Sequence, residues 1–277
     1  MGATAVANQN NVPATDEKYL KLADTKIGHG KNILEVKIPP RLEQLIQTGI
    51  PWWDKACGGD DSPGMTPSSV TLLTAVPGGG KTTLALQLAD SITKNKHVAL
   101  YNSGEESLFQ VRKTVKRLGL PRGFICGEDH YLKDILAHSR KLIKENPDKQ
   151  LFLFLDSLKT INDGFYADGA MNSKTPERVI KSLVEFCKET FTICTIIGHV
   201  TKDGKFEGKQ KVKHDIDAHA HINFDLKPKS ETYGMRVFSF SKNRFGPLNL
   251  AGTVLDLTKT GLVCMDVTAD VDLDDAE

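Results

Sequence analysis

The sequence predicts an α/β protein with a doubly wound, mainly parallel sheet and an antiparallel C-terminal edge. Three observations carry that prediction. Between residues 70 and 198, apolar runs of strand length alternate with helical patterns. The run Leu151-Phe152-Leu153-Phe154-Leu155-Asp156 is apolar on both faces, as a central strand of a parallel sheet must be. From about Ala218 onward, strand patterns follow one another at 218–226, 233–241, 252–257 and 262–267, as hairpins closing an edge would.

Residues 1–33 have mixed polar composition and weak periodicity, so they read as a flexible N-terminal arm before a core at 34–265. Ile38-Pro39-Pro40 breaks the chain before a short helical pattern at 42–46, and a Gly/Pro-rich approach at 58–67 follows. The first strand, 70–76, runs into Pro77, Gly78, Gly79, Gly80, Lys81, Thr82 and Thr83, and a helical pattern continues to about Lys94. This is the strand, loop and helix context of a phosphate-binding P-loop. The glycines let backbone N–H groups approach phosphate oxygens, and the helix opening at Lys81 turns its unpaired N–H groups toward the same anion. Lys81 is placed to reach the β- and γ-phosphates and Thr82 to offer its hydroxyl to Mg²⁺, so the expected cofactors are ATP and Mg²⁺. The strict pattern asks for Gly where Ala75 stands, a position at the loop base where a small residue should serve.

A second strand, 97–102, stops at Ser103-Gly104-Glu105-Glu106-Ser107, and a helix follows with apolar spacing at Leu108, Val111, Val115 and Leu118 before Gly119. A short strand at 124–126, a helix at 131–144, the strand 151–156, a loop at 162–175, a helix at 176–189 and a strand at 192–198 complete the alternation. In open α/β sheets ligands bind at the carboxyl ends of strands, so the polar residues closing each apolar run are the candidates. Asp156 fits the acid that orders Mg²⁺. Glu105 or Glu106 could orient or deprotonate the attacking water, with Glu105 favoured, and His199 could sense the γ-phosphate.

Residues 200–213 carry Lys202, Lys205, Lys209, Lys211 and Lys213 among glycines and one aromatic. That composition describes a flexible basic loop suited to a phosphodiester backbone. Lys242 and Arg244 flank a turn after a late strand, from which they could reach the phosphates of a neighbouring subunit as an arginine finger does. The P-loop is expected on a different edge of the sheet. His214, Asp217, His219 and His221 invite a metal reading, but no carboxylate stands at fixed spacing to the histidine pair.

The net charge of +1 implies no general affinity for nucleic acid. Its distribution is uneven, because residues 266–277 hold six acids and no Lys or Arg and form an acidic C-terminal tail, leaving +7 on the rest. No apolar run reaches the length of a membrane span, and the N-terminus lacks the order of a secretion signal. Five cysteines without Cys-x-x-Cys spacing argue against a zinc ribbon or a disulfide framework and for a reducing, cytoplasmic setting.

With these residues in hand, the chain resembles the ATPase core of the RadA/Sms family, within the RecA/DnaB superfamily of DNA motors. The matching pieces run in family order: Thr48-Gly49-Ile50, the P-loop, Ser103-Gly104-Glu105-Glu106-Ser107, Asp156-Ser157, Gly198-His199-Val200-Thr201-Lys202, His214 with Asp217, and Lys242-Asn243-Arg244-Phe245-Gly246. The last run is the specific one. The resemblance implies a RecA-like P-loop NTPase working in recombination or repair as a helicase, and a homo-oligomer in the form of a hexameric ring with single-stranded DNA in its channel. It also implies that the loops at 162–175 and 200–213 face that channel, and that Lys242 and Arg244 act across the subunit interface. Neither the family's four-cysteine zinc module nor its Lon-protease-like domain is found, so a pared-down core of this sort suits a phage-encoded or specialised version. A DnaB-type replicative helicase core, a filament-forming recombinase and a KaiC-like switch without DNA are the alternatives.

Overall fold

The computed structural model describes residues 32–199, 210–248 and 252–265. The expected acidic tail and nearly all of the expected N-terminal arm lie outside the described residues. Nine strands form one sheet in the order β3-β2-β4-β5-β1-β6-β7-β8-β9. In chain order they are β1 (Val70–Ala75), β2 (Val98–Ser103), β3 (Ile125–Gly127), β4 (Leu151–Asp156), β5 (Ile193–Ile197), β6 (Ala218–Phe224), β7 (Arg236–Asn243), β8 (Thr253–Thr258) and β9 (Gly261–Cys264). From β3 to β6 all neighbours are parallel, and from β6 to β9 all are antiparallel. The predicted fold class is therefore the observed one.

Helices cover both faces, and the alternation within each strand divides the apolar residues between two cores. Phe152 and Phe154 of β4 face the core built with α1 (Pro51–Gly58), α2 (Lys81–Lys94) and α3 (Leu108–Leu118). Leu151, Leu153 and Leu155 face the one built with α4 (Leu132–Glu145), α5 (Thr175–Thr190) and α6 (Gln210–Asp215). Local chemistry sets several boundaries within a residue or two of the sequence reading. At α3, Ser107 and Gln110 form a reciprocal capping box, and Gly119 ends the helix in the left-handed conformation at φ 67°.

Three expectations need correction. The pattern at 42–46 is not a helix: a 3-10 turn spans Pro40–Leu42, and Ile46 instead pairs with Met65 in an isolated bridge. The stretch 51–58, ahead of and touching the expected Gly/Pro-rich approach and given no helix in the sequence reading, is helix α1. It is held from outside its own length, since the buried Asp54 carboxylate accepts from Thr48 N at 2.8 Å, Thr48 Oγ1 at 2.7 Å and Gly49 N at 3.0 Å. Trp53, fully buried, packs at 5.3 Å from the Phe238 ring and 6.2 Å from Phe240. Such aromatic pairs contribute about 0.5–1.5 kcal/mol each beyond burial. Finally, the basic stretch does not run as loop to its end, because residues 210–215 are helical. A six-residue helix is far below the roughly 12–15 residues that are marginal alone. Burial of Val212 in the second core anchors it.

Candidate nucleotide site

The sheet register brings the carboxyl ends of β1, β2, β4 and β5 side by side, with Ser103 opposite Asp156, Leu155 opposite Ile196 and Leu73 opposite Ile197. The loop after β1 rises at this end. Gly80 caps α2 with φ 101°, and a β-carbon there would press against Leu262 of β9. A β-carbon at Gly79 would lie 2.7 Å from the β-carbon of Ala75. The methyl group at the loop base is therefore accommodated because residue 79 has none. Lys81 Nζ donates to Ala75 O at 3.1 Å, folded back over the loop. Burial lowers its pKa, against the opposing pull of the Asp156 and Glu105 carboxylates.

Asp156 closes β4 and is buried. Its Oδ2 accepts from Thr82 Oγ1 at 2.8 Å and from Tyr101 OH at 2.7 Å. Burial raises the Asp156 pKa, while the two hydroxyl donors pull it back. Tyr101 is pushed upward by its own burial and then by the charge of Asp156, so it stays a phenol and a donor. A hydroxyl and a carboxylate in contact at a helix N-terminus make a hard-oxygen pair of the kind Mg²⁺ accepts when phosphates and water supply the remaining ligands. Thr82 and Asp156 thus fit the ion.

Glu105 stands beyond β2 and meets residues from two other strand ends. Its Oε1 accepts from Ser157 Oγ at 2.5 Å, His199 Nε2 lies 2.8 Å away and Lys159 Nζ 3.5 Å. Burial pushes the Glu105 pKa up, but the Ser157 and His199 hydrogen bonds together with the His199 and Lys159 charges outweigh it, and the net direction is down. Glu106 differs. Its Oε2 is buried without a partner among the described residues, and burial, then the charges of Asp156 and Glu105, raise its pKa. Gly104 is required between the strand and this pair, because a β-carbon there would lie 2.1 Å from Thr160 Oγ1.

Pro77 to Thr83, Asp156, Glu105, Glu106 and His199 thus converge on one end of the sheet. Lys242 and Arg244 do not. They close β7, whose Asn243 is opposite Ala218, so they sit at the end of the sheet away from the P-loop. Among the described residues β7 pairs with β8 only over residues 236–238, and the separation of Lys242 and Arg244 from the P-loop is end to end rather than edge to edge. Arg244 Nη1 pairs with Asp217 Oδ1 at 3.0 Å, and Asp217 Oδ2 accepts from Val70 N at 3.0 Å. Lys242 Nζ donates to the carbonyls of Lys213, His214 and Ile216, at 3.0, 2.9 and 2.7 Å, which terminates α6. Lys213 belongs to that helix. Lys202, Lys205 and Lys209 lie outside the described residues, as does the side chain of Lys211. His219 and His221 share a hydroxyl: Thr74 Oγ1 is 2.8 Å from His219 Nε2 and 2.8 Å from His221 Nδ1.

Sequence reasoning gave no role at this end of the sheet to Tyr101, Ser157, Lys159 or Arg236, although Ser157 stands in the Asp156-Ser157 run of the resemblance. The first three sit within or one turn beyond a strand end already under scrutiny, and that placement was the available signal.

A family model described as the AAA domain matches residues 62–205. The chain belongs to that AAA-domain family. Among curated proteins it is similar to the DNA repair protein RadA of Aquifex aeolicus, 34% identical over 201 residues that make up 72% of this chain and 41% of the relative. RadA of Escherichia coli K12 is 30% identical over 223 residues, 80% of this chain and 45% of that protein. RadA of Brucella abortus is 30% identical over 232 residues, 82% and 46% respectively. The chain thus spans less than half the length of the curated relatives it matches. Among solved structures, a KaiC-like protein from Pyrococcus horikoshii OT3 superposes with a TM-score of 0.62 at 17% identity, over 80% of this chain and 99% of that one. That likeness concerns the fold. The resemblance to the RadA ATPase core is established.

Proposed function

We propose that this chain is an ATP-driven motor that binds single-stranded DNA and hydrolyses ATP at the subunit interfaces of a ring, in recombination or repair. The observation that carries the reading is the convergence of Lys81, Thr82, Asp156, Glu105 and His199 on one sheet end. The P-loop glycines and the N-terminus of α2 cradle the phosphates, and Lys81 moves from Ala75 O to the β- and γ-oxygens. Thr82 and Asp156 would hold Mg²⁺, which supplies neutralisation of phosphate charge. Glu105 orients the attacking water and accepts its proton, and its lowered pKa keeps it ionised for that task. His199, bridging Glu105 and Ser157, relays the presence of the γ-phosphate to the lysine-rich chain that follows it. Arg244 serves the phosphates of the next subunit, because its own P-loop lies at the other end of the sheet.

Support for DNA is twofold: five lysines at 202–213, and relatives that are named DNA repair proteins. The test is ATPase rate with and without single-stranded DNA, together with negative-stain images of the assemblies. Rings with stimulated turnover are expected. Rings whose rate ignores DNA would favour a KaiC-like switch, and open polymers a filament-forming recombinase. Replacing Lys205, Lys209 and Lys211 together should lower the salt dependence of DNA binding by roughly 0.7 in log–log slope for each phosphate the loop no longer neutralises. An unchanged slope would remove the loop from the DNA path.

A further inference from the structure

Arg236 opens β7, and strand direction decides where it stands. Because β7 is antiparallel to β6 and β6 is parallel to β1, the start of β7 rises at the P-loop end, with Ala75 opposite Ile222 and Phe224 opposite Arg236. The guanidinium of Arg236 donates through an Nη2–H to Gly78 O at 3.2 Å. Gly79 N donates to Val76 O at 2.9 Å. Both ends of the Gly78–Gly79 peptide are therefore bonded, one by the loop and the other by a cation from a strand two places away. Gly78 itself, at φ 75°, has nothing among the described residues within 4 Å of where a β-carbon would be.

Two further features separate Arg236 from an ordinary surface arginine. Its Cζ lies 5.0 Å over the Phe224 ring, which fixes the plane of the fork. The turn that delivers it is also tied. Asp225 accepts from Ser230 Oγ and Thr232 Oγ1, each at 2.5 Å, and its backbone N–H and C=O bond Met235 O at 2.9 Å and Gly234 N at 2.6 Å. Against this rigid background, Arg236 Nε is buried and has no hydrogen-bond partner among the described residues. A charged donor taken out of water without a partner carries an uncompensated desolvation cost, so its retention calls for a functional reason.

We propose that Arg236 is a nucleotide-binding residue supplied in cis, whose guanidinium braces the Gly78–Gly79 peptide and donates to a phosphate oxygen of the bound nucleoside triphosphate. The proposal rests on the P-loop reading above and adds a second cation to Lys81, from the antiparallel half of the sheet. The guanidinium differs from Lys81 in geometry, because its donors form a fixed fork rather than a rotating point charge.

The test compares binding of ADP and ATP, by calorimetry, to the wild-type chain and to the Arg236→Ala, Arg236→Lys and Phe224→Leu variants. Loss of one charge-assisted hydrogen bond weakens affinity about ten- to a hundredfold, so that loss is expected for Arg236→Ala with both nucleotides. Arg236→Lys should recover only part of it, and Phe224→Leu should lie between wild type and Arg236→Ala. Nucleotide-free melting temperatures close to wild type would separate a binding role from a folding one. Mixing Arg236→Ala with Lys81→Ala subunits should leave the weak sites weak. Wild-type affinity in both Arg236→Ala and Arg236→Lys would overturn the proposal, and recovery of affinity on mixing would overturn its cis assignment. A wild-type chain that binds neither nucleotide would instead bring down the P-loop reading, and this inference with it.

Discussion

The two ends of the sheet hold the same kinds of residue to opposite purposes. At the P-loop end, cations and carboxylates gather beside the loop: Lys81 rests on a carbonyl, Glu105 is part-exposed, and Glu106 keeps a buried oxygen without a partner among the described residues. At the far end the charges are spent on one another. Asp217 is almost wholly buried, bound to both Arg244 and the backbone of β1, and Lys242 is committed to three carbonyls at the end of α6. The difference teaches that position at a strand end is not enough to make a site. At the far end these pairings brace the sheet, and the Arg244 guanidinium projects from it with a half-exposed side chain.

That contrast breaks most sharply at Arg244. A finger supplied across an interface is worth roughly 10³–10⁵ in rate, so Arg244→Ala should cripple hydrolysis while leaving nucleotide affinity nearly unchanged. Lys81→Ala should abolish tight binding. Neither variant should turn over alone, but rings mixed from the two contain interfaces where an intact P-loop meets an intact Arg244, and activity should partly return. A mixture as inactive as its parents, with mixed rings verified by native mass measurement, would confine the far end to a structural role.

Within the P-loop end, Glu105→Gln should lower the hydrolysis rate by roughly 10²–10⁴ with ATP still bound, as loss of a positioned base does. Glu106→Gln should cost much less. If instead Glu106→Gln is the dead variant, the unpartnered carboxylate with the raised pKa is the base, and the Ser157–His199 bracket around Glu105 is a positioning device.

A smaller effect connects the two ends. Ser241 Oγ lies 2.5 Å from His219 Nδ1, and Thr74 joins His219 to His221, so a line of polar groups runs along the sheet from beside Lys242 toward the P-loop. Burial, with the charge of Lys213 next, lowers the pKa of His219 to about 3 and of His221 to about 4, both below the ordinary histidine value of 6.5. Both rings are neutral in the fold, and below pH about 6.5 the unfolded chain binds the additional protons. Stability should therefore be fully present above pH about 6.5 and fall as the pH drops toward about 4. His221→Gln should flatten the decline of melting temperature between neutral and mildly acid pH. Equal slopes in the two proteins would mean that the line does not govern acid stability.

The amino-acid sequence by itself determined whatever depends on neighbours along the chain. The P-loop, the all-apolar β4 ending at Asp156, and α3 between Ser107 and Gly119 are specified by periodicity, glycine placement and capping, all of which act over a few residues. It also placed Glu105 and His199 among the candidates, because a polar residue closing an apolar strand is a local signal with a known position in α/β sheets. Tertiary structure decided the rest. Helices α1 and α6 are too short to hold themselves and exist because Asp54 ties Thr48 and Gly49, Trp53 meets Phe238, and Val212 enters the second core. The strand order moved Lys242 and Arg244 to the end of the sheet opposite the P-loop and brought Arg236 onto Gly78. The direction of a hairpin strand and the register of its pairing are set by hydrogen bonds between residues far apart in sequence, and no local pattern records them.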